Sequence, residues 1–171
     1  MANEHRRSIR SARKGCWRLS LGLILYFTPL AAAPAEDWPG FLGKNRDAVA
    51  VGEVPLQPWK TPLSPRFQIP LGAGFSGATL ANGRLFIAHR QGAQDHLDAY
   101  DALNGKQIWR TSFPASYSGG VDPDKGPRAS AIVSDGQVFF YSAAADLHCV
   151  DAKDGKTLWS RSLGRDYELP D

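Results

Sequence analysis

From residue 77 onward, short apolar runs alternate with turn signals, and the runs fall into two sets of four. The pattern predicts strands at 77–81, 84–90, 97–101 and 106–113, then at 130–133, 137–142, 146–151 and 156–163. No helical periodicity separates them, so no helix is predicted and the chain is all-β. Leu85-Phe86-Ile87-Ala88 and Val138-Phe139-Phe140-Tyr141 are apolar without alternation. A sheet with one wet face would alternate, so these strands are expected to be covered on both faces. Asn82-Gly83 and Asp135-Gly136 sit between apolar runs and predict tight hairpins.

The two sets are one pattern written twice. Asp101, Gly105 and Trp109 recur as Asp151, Gly155 and Trp159, each 50 positions on, and the stretch 77–83 faces 130–136 at a displacement of 53. A period of this size predicts stacked or radially arranged sheets, each burying its faces against its neighbours. Within each copy the aspartate can accept backbone N–H groups of its own turn while the glycine takes the left-handed position. The tryptophan four residues later has the area to clamp one sheet against the next, its indole N–H being satisfied locally.

These residues resemble the repeat of the pyrroloquinoline-quinone-like β-propellers, the quinoprotein alcohol dehydrogenase-like family, whose blade motif reads A-x-D-x-x-T-G-x-x-x-W. Ala99, Asp101, Gly105 and Trp109 match it, with Asn104 in the threonine place. In the second copy Asp151, Gly155 and Trp159 match, with Cys149 for the alanine and Asp154 for the threonine. Trp38-Pro-Gly-Phe41-Leu-Gly43-Lys-Asn-Arg46-Asp47 is similar to the W-P-x-F-R-G-P-x-R-D-G opening of exported bacterial members, departing at Leu42, Lys44 and Ala48. The resemblance implies a β-propeller of four-stranded blades, of which about two are present, a partial propeller. It implies either a dehydrogenase, which stacks its quinone between a tryptophan and a disulfide of adjacent cysteines beside a calcium ion, or an inert scaffold. The scaffold most similar is the outer-membrane-protein assembly lipoprotein, which binds partners through propeller loops.

Segment boundaries follow from composition. Residues 1–18 carry six Lys/Arg against Glu4, residues 19–33 are apolar, and Ala33-Pro-Ala35 precedes Glu36. This is the layout of a secretory signal peptide over 1–35, cleaved after Ala35, with export to the periplasm or outside the cell. The apolar run is shorter than the roughly 20 residues of a membrane span and contains Pro29, so no stable span is expected after cleavage. Residues 36–74 form an irregular Pro/Gly-rich lead-in with one short strand near Arg66–Pro70, 75–127 the first blade and the loop after it, 128–165 the second blade, and 166–171 a truncated tail. The formal charge of the whole chain is +3, but residues 36–171 hold 14 Lys/Arg against 16 Asp/Glu. The basic excess belongs to the leader, and no nucleic-acid partner is expected.

Candidate chemistry is sparse. Cys149 is the single cysteine after the leader and sits at a strand-like apolar position, which reads as a buried small hydrophobe. Asp95-His96-Leu97-Asp98 gathers two carboxylates and an imidazole, but the segment reads as a solvated inter-strand loop. Asp122-Pro-Asp124-Lys-Gly126 has the start of a calcium loop without its closing glutamate, and Gly119-Gly120 is a single doublet. His89 and His148 fall on strands with no serine or cysteine in a nucleophile elbow beside them. No catalytic, cofactor-binding or metal residue is therefore assigned; pyrroloquinoline quinone and calcium are expected only if further blades supply the site.

The reading that follows is an exported, non-catalytic propeller segment serving as a protein-interaction or scaffold module. Its alternatives are a segment of a quinone-dependent dehydrogenase and a truncated product with no independent function. Two blades are too few to close a propeller, so the expected partner is a protein or the missing blades. Open Phe- and Trp-rich faces predict self-association.

Overall fold

Asn82 and Asp135 take left-handed φ values of 50° and 49°, and the glycines after them 71° and 75°. Two consecutive positive φ values make the tight turn whose twist suits a hairpin. In the computed structural model, which describes residues 36–50, 58–115 and 126–168, these turns open two antiparallel sheets of one design. The first is β1 (Thr79–Ala81), β2 (Arg84–Gln91), β3 (Gln94–Asp101) and β4 (Gln107–Pro114), hydrogen-bonded in that order. The second is β5 (Ile132–Ser134), β6 (Gln137–Tyr141), β7 (Asp146–Asp151) and β8 (Thr157–Ser162), again in chain order. Even the irregularities repeat: the register shifts between Ala99 and Tyr100 in β3, and between Cys149 and Val150 in β7. The fold is a partial β-propeller of two blades.

One face of the first sheet and the facing side of the second make a single core. Phe86, Ala88, Leu97, Ala99, Trp109 and Phe113 meet Ala131, Val138, Phe140 and Val150 there. The lead-in ties the blades at their inner strands. Trp38 N–H donates to the Leu80 carbonyl (2.7 Å) and the Trp38 carbonyl accepts from Leu80 N–H (3.0 Å), while Val133 N–H donates to the Pro39 carbonyl (2.8 Å).

Four expectations change. β3 begins at Gln94 rather than 97, because the chain reverses tightly at Gly92-Ala93 and Gln91 pairs with Gln94. Asp95 to Asp98 therefore lie inside a strand, and both aspartates are fully buried. The short strand expected near Arg66–Pro70 does not form; the bridge of this stretch comes later, between Ala73 and Arg90. The run expected as strand to 163 stops at Ser162, and one helical turn, α1 (Leu163–Asp166), follows where no helix was predicted. There the Leu163 N–H is taken by the Ala145 carbonyl (2.9 Å), which turns the chain out of the ladder. Finally, cover on both faces holds for the first sheet but not for the second, whose outer face leaves Tyr141 and Trp159 exposed. Among the described residues no helix is long and apolar enough to cross a membrane. The expected signal peptide and its cleavage point after Ala35 lie outside the described residues, as do Gly119-Gly120 and Asp122-Pro-Asp124.

Candidate functional site

The Asp–Gly–Trp residues meet at the seam between the blades. Asp101 Oδ1 accepts the N–H groups of Leu103 (2.8 Å) and Asn104 (3.2 Å), and Asp151 Oδ1 accepts that of Lys153 (2.7 Å). Each turn closes on its glycine, whose N–H donates to the aspartate carbonyl at 2.8 and 2.9 Å. Gly155 (φ 78°) leaves the space that Trp109 fills: a β-carbon there would lie 2.7 Å from Trp109 Cδ2. The indole N–H of Trp109 donates to the Ala152 carbonyl (3.1 Å), so it is satisfied across the seam and not within its own blade. Thr111 donates to the Gly155 carbonyl, and Arg84 reaches the carbonyls of Ala152 (2.6 Å) and Lys153 (2.8 Å). Ala99 pairs opposite Trp109 in the ladder and Cys149 opposite Trp159. Equivalent positions end in different surroundings, for Trp109 is 8 % exposed and Trp159 is 40 % exposed.

Gly105 (φ 72°) has the same gap and a different occupant. A β-carbon at Gly105 would lie 2.6 Å from Phe67 Cδ2, so the lead-in sets a phenylalanine ring where the second blade receives Trp109. The apolar pattern of Arg66–Pro70 was visible in sequence; its purpose as a plug was not.

A buried ionic group fills the first sheet's other face, toward the lead-in. Asp98 accepts from Arg110 Nε and Nη2 (both 2.7 Å), from the Tyr100 hydroxyl (2.6 Å) and from His89 Nε2 (2.9 Å). Gly72 N–H donates to His89 Nδ1 (3.1 Å), which fixes the proton of neutral His89 on Nε2. Burial alone would push the Asp98 carboxyl up, but the donors Arg110, Tyr100 and His89 outweigh it and hold it below the ordinary value. Burial, then the bond to Asp98, pushes the Tyr100 phenol up to about 12. On the opposite face Arg90 Nε pairs with Asp95 (2.7 Å). None of these pairs was legible, because the hairpin register that sets Asp98 opposite Arg110 is a property of the folded sheet.

Serines do stand beside two histidines. Ser112 Oγ is 2.7 Å from His96 Nδ1, and Ser160 Oγ is 2.7 Å from His148 Nδ1. The serines lie inside strands β4 and β8, however, and among the described residues the buried His148 Nε2 has no partner, so no carboxylate there orients the ring as a base. His148 instead stacks on Phe113 across the seam, ring centroids 3.7 Å apart. Burial depresses its affinity for protons, as it does for His96.

The described residues do not fit a quinone–calcium centre. Asp95 and Asp98 are bonded to Arg90 and Arg110, the buried Cys149 has no neighbouring cysteine, and no cluster of three or more His, Cys, Asp or Glu is arranged to hold a metal. Two open clefts, of about 460 and 450 Å³, flank the inner strands. One lies between the turns at Asn82, Asp135 and Lys153, the other between the Phe41–Arg46 loop and β5.

Comparison with known proteins agrees with this architecture. The family model described as outer membrane protein assembly factor BamB matches residues 51–164. Quinoprotein alcohol dehydrogenase PedE of Pseudomonas putida is 31 % identical over 96 residues, which is 46 % of this chain and 15 % of that protein. The 1-butanol dehydrogenase (cytochrome c) of Thauera butanivorans is 28 % identical over 138 residues, 80 % of this chain and 16 % of that one. This chain thus spans about a sixth of the length of these relatives. Among solved structures, BamB from Moraxella catarrhalis aligns with 53 % of this chain and 23 % of its own at 22 % identity, TM-score 0.37. A repeated four-stranded blade, its Asp–Gly–Trp seam and a family match over two thirds of its length place this chain in the BamB-type family of pyrroloquinoline-quinone-like β-propeller repeats.

Proposed function

We propose that this chain is an exported, non-catalytic propeller segment that works as a protein-interaction module. The observation carrying this reading is the contrast between Trp109, sealed in the seam, and Trp159, the same residue of the same motif, on an open face. A large aromatic left partly in water, on a sheet that also exposes Ile132, Tyr141 and Leu158, marks a surface awaiting a partner. The polar groups support the same reading: Asp98 is bonded to His89 and Arg110, and Asp95 to Arg90, which suits them to hold the blade and not to act on a substrate. The relatives named as dehydrogenases favour a second reading, a segment of a quinone-dependent dehydrogenase whose site lies in further blades.

Addition of pyrroloquinoline quinone and calcium, followed by dye-linked oxidation of alcohols, separates the two. No turnover and no quinone binding are expected. Turnover above a heat-inactivated control would remove the non-catalytic reading.

A further inference from the structure

The seam between the blades is a worked specimen of what Trp159 lacks. Trp109 needs a left-handed glycine for its ring, the carbonyl one residue after the turn aspartate for its N–H, and a donor two residues on for the glycine carbonyl; Gly155, Ala152 and Thr111 meet these needs. Trp159 is held ready in the same pose. Its ring lies 6.1 Å from Phe139 at 56°, as Trp109 lies 5.8 Å from Phe86 at 47°. Arg161 stands two residues on, in the place of Thr111; its Nε and Nη2 are held by Asp166 (3.0 and 2.8 Å), which leaves Nη1 as the nitrogen to donate.

The chain also carries a second seat of the required chemistry. Asp101, Ala102 and Gly105 repeat Asp151, Ala152 and Gly155, with φ 72° at Gly105 against 78° at Gly155. This seat is plugged by Phe67. The plug is a smaller ring without an N–H, on a segment that is largely exposed from Trp59 to Leu71 and forms no strand. Trp159 of another molecule would bring more apolar area and one further hydrogen bond, to the Ala102 carbonyl.

We propose that Trp159 of one copy docks in the Gly105 seat of a second copy, and that Phe67 is the in-chain competitor that restrains this pairing. The contact joins two different surfaces, so each copy offers both a knob and a seat, and association continues until a ring closes or a chain extends. The proposal rests on the interaction-module reading and names the partner as a second copy.

Sedimentation velocity of the full chain across a concentration series tests it, with residues 1–35 common to every variant and circular dichroism checking the sheet signal. Phe67→Ala should lower the concentration at which larger species form by about tenfold or more, the equivalent of about 1.4 kcal/mol. Phe67→Trp, which fits the seat better, should raise it. Phe67→Ala with Trp159→Ala should return the chain to the smallest species. Association of Trp159→Ala equal to the wild type, or the same behaviour from Phe67→Ala and Phe67→Trp, would overturn the proposal. Such a failure leaves the interaction-module reading intact with a different partner, whereas quinone-dependent turnover would end that reading whatever the sedimentation result.

Discussion

Trp109 and Trp159 share a motif position, a cross-strand partner position and an aromatic neighbour, yet one is core and the other is surface. Removing them should therefore cost different amounts. Trp109→Ala opens a cavity in the seam and removes one of the two donors to the Ala152 carbonyl, Arg84 remaining, for an expected loss of about 3–5 kcal/mol. Trp159→Ala removes one aromatic contact and should cost roughly 1 kcal/mol in the dilute chain. Urea unfolding followed by far-ultraviolet circular dichroism measures both, and equal costs would contradict the exposure difference. Asp98 makes a second residue-scale case. Asp98→Asn keeps the shape but leaves Arg110 without its charge partner beside neutral His89. A loss of roughly 2–3 kcal/mol is expected, moderated because Arg110 is one-third exposed. The motif residues were legible because turn and clamp chemistry is local. Phe67, Arg110 and Arg84 were not, since their partners lie 38, 12 and 68 positions away.

At the scale of elements, the two sheets meet through Phe113 of β4 and His148 of β7. Burial lowers the proton affinity of His148, opposed by the nearby Asp146 and Asp95. A depressed histidine is neutral in the fold, so the unfolded chain binds more protons as the pH falls. Its contribution is thus complete above the ordinary value of 6.5 and is lost as pH falls from there toward the lower folded value. Asp98, also depressed, contributes above 3.8 and is lost below that. The midpoint of urea unfolding should then decline between pH 7.5 and 5, and His148→Phe, which keeps the stack on Phe113, should flatten part of that decline, the remainder belonging to His96, which burial also depresses. An unchanged slope in the variant would show that His148 does not control the seam. Strand number and order were readable from apolar runs and turns. The β3 boundary was misplaced because Asp95 and His96 look solvated until Arg90 and Ser112 are seen beside them.

For the whole molecule, the controlling fact is asymmetry. The first blade is closed on one side by the second and on the other by its own lead-in, with Gly72 bonded to His89, Ala73 bridged to Arg90 and Phe67 on Gly105. Among the described residues the second blade has a neighbour on one side only. Hydrogen exchange should report this directly: amides of β2 and β3 are expected to be protected longest, and those of β8 least. Protection of β8 equal to that of β3 in a dilute sample would mean that the outer face is covered. Repeat proteins couple stability between adjacent units, so a partner on the Trp159 face should raise β8 protection without changing the inner strands much.

The sequence by itself determined the local decisions: strand class and count, the hairpin turns at Asn82 and Asp135, and the repeated Asp–Gly–Trp design, all of which depend on residues within a few positions of one another. It also determined that the two copies are equivalent. Only the tertiary structure decided that equivalents differ in fate, because burial depends on what stands across a seam and not on the motif itself. Trp109 meets Gly155, Gly105 meets Phe67, and Trp159 meets solvent.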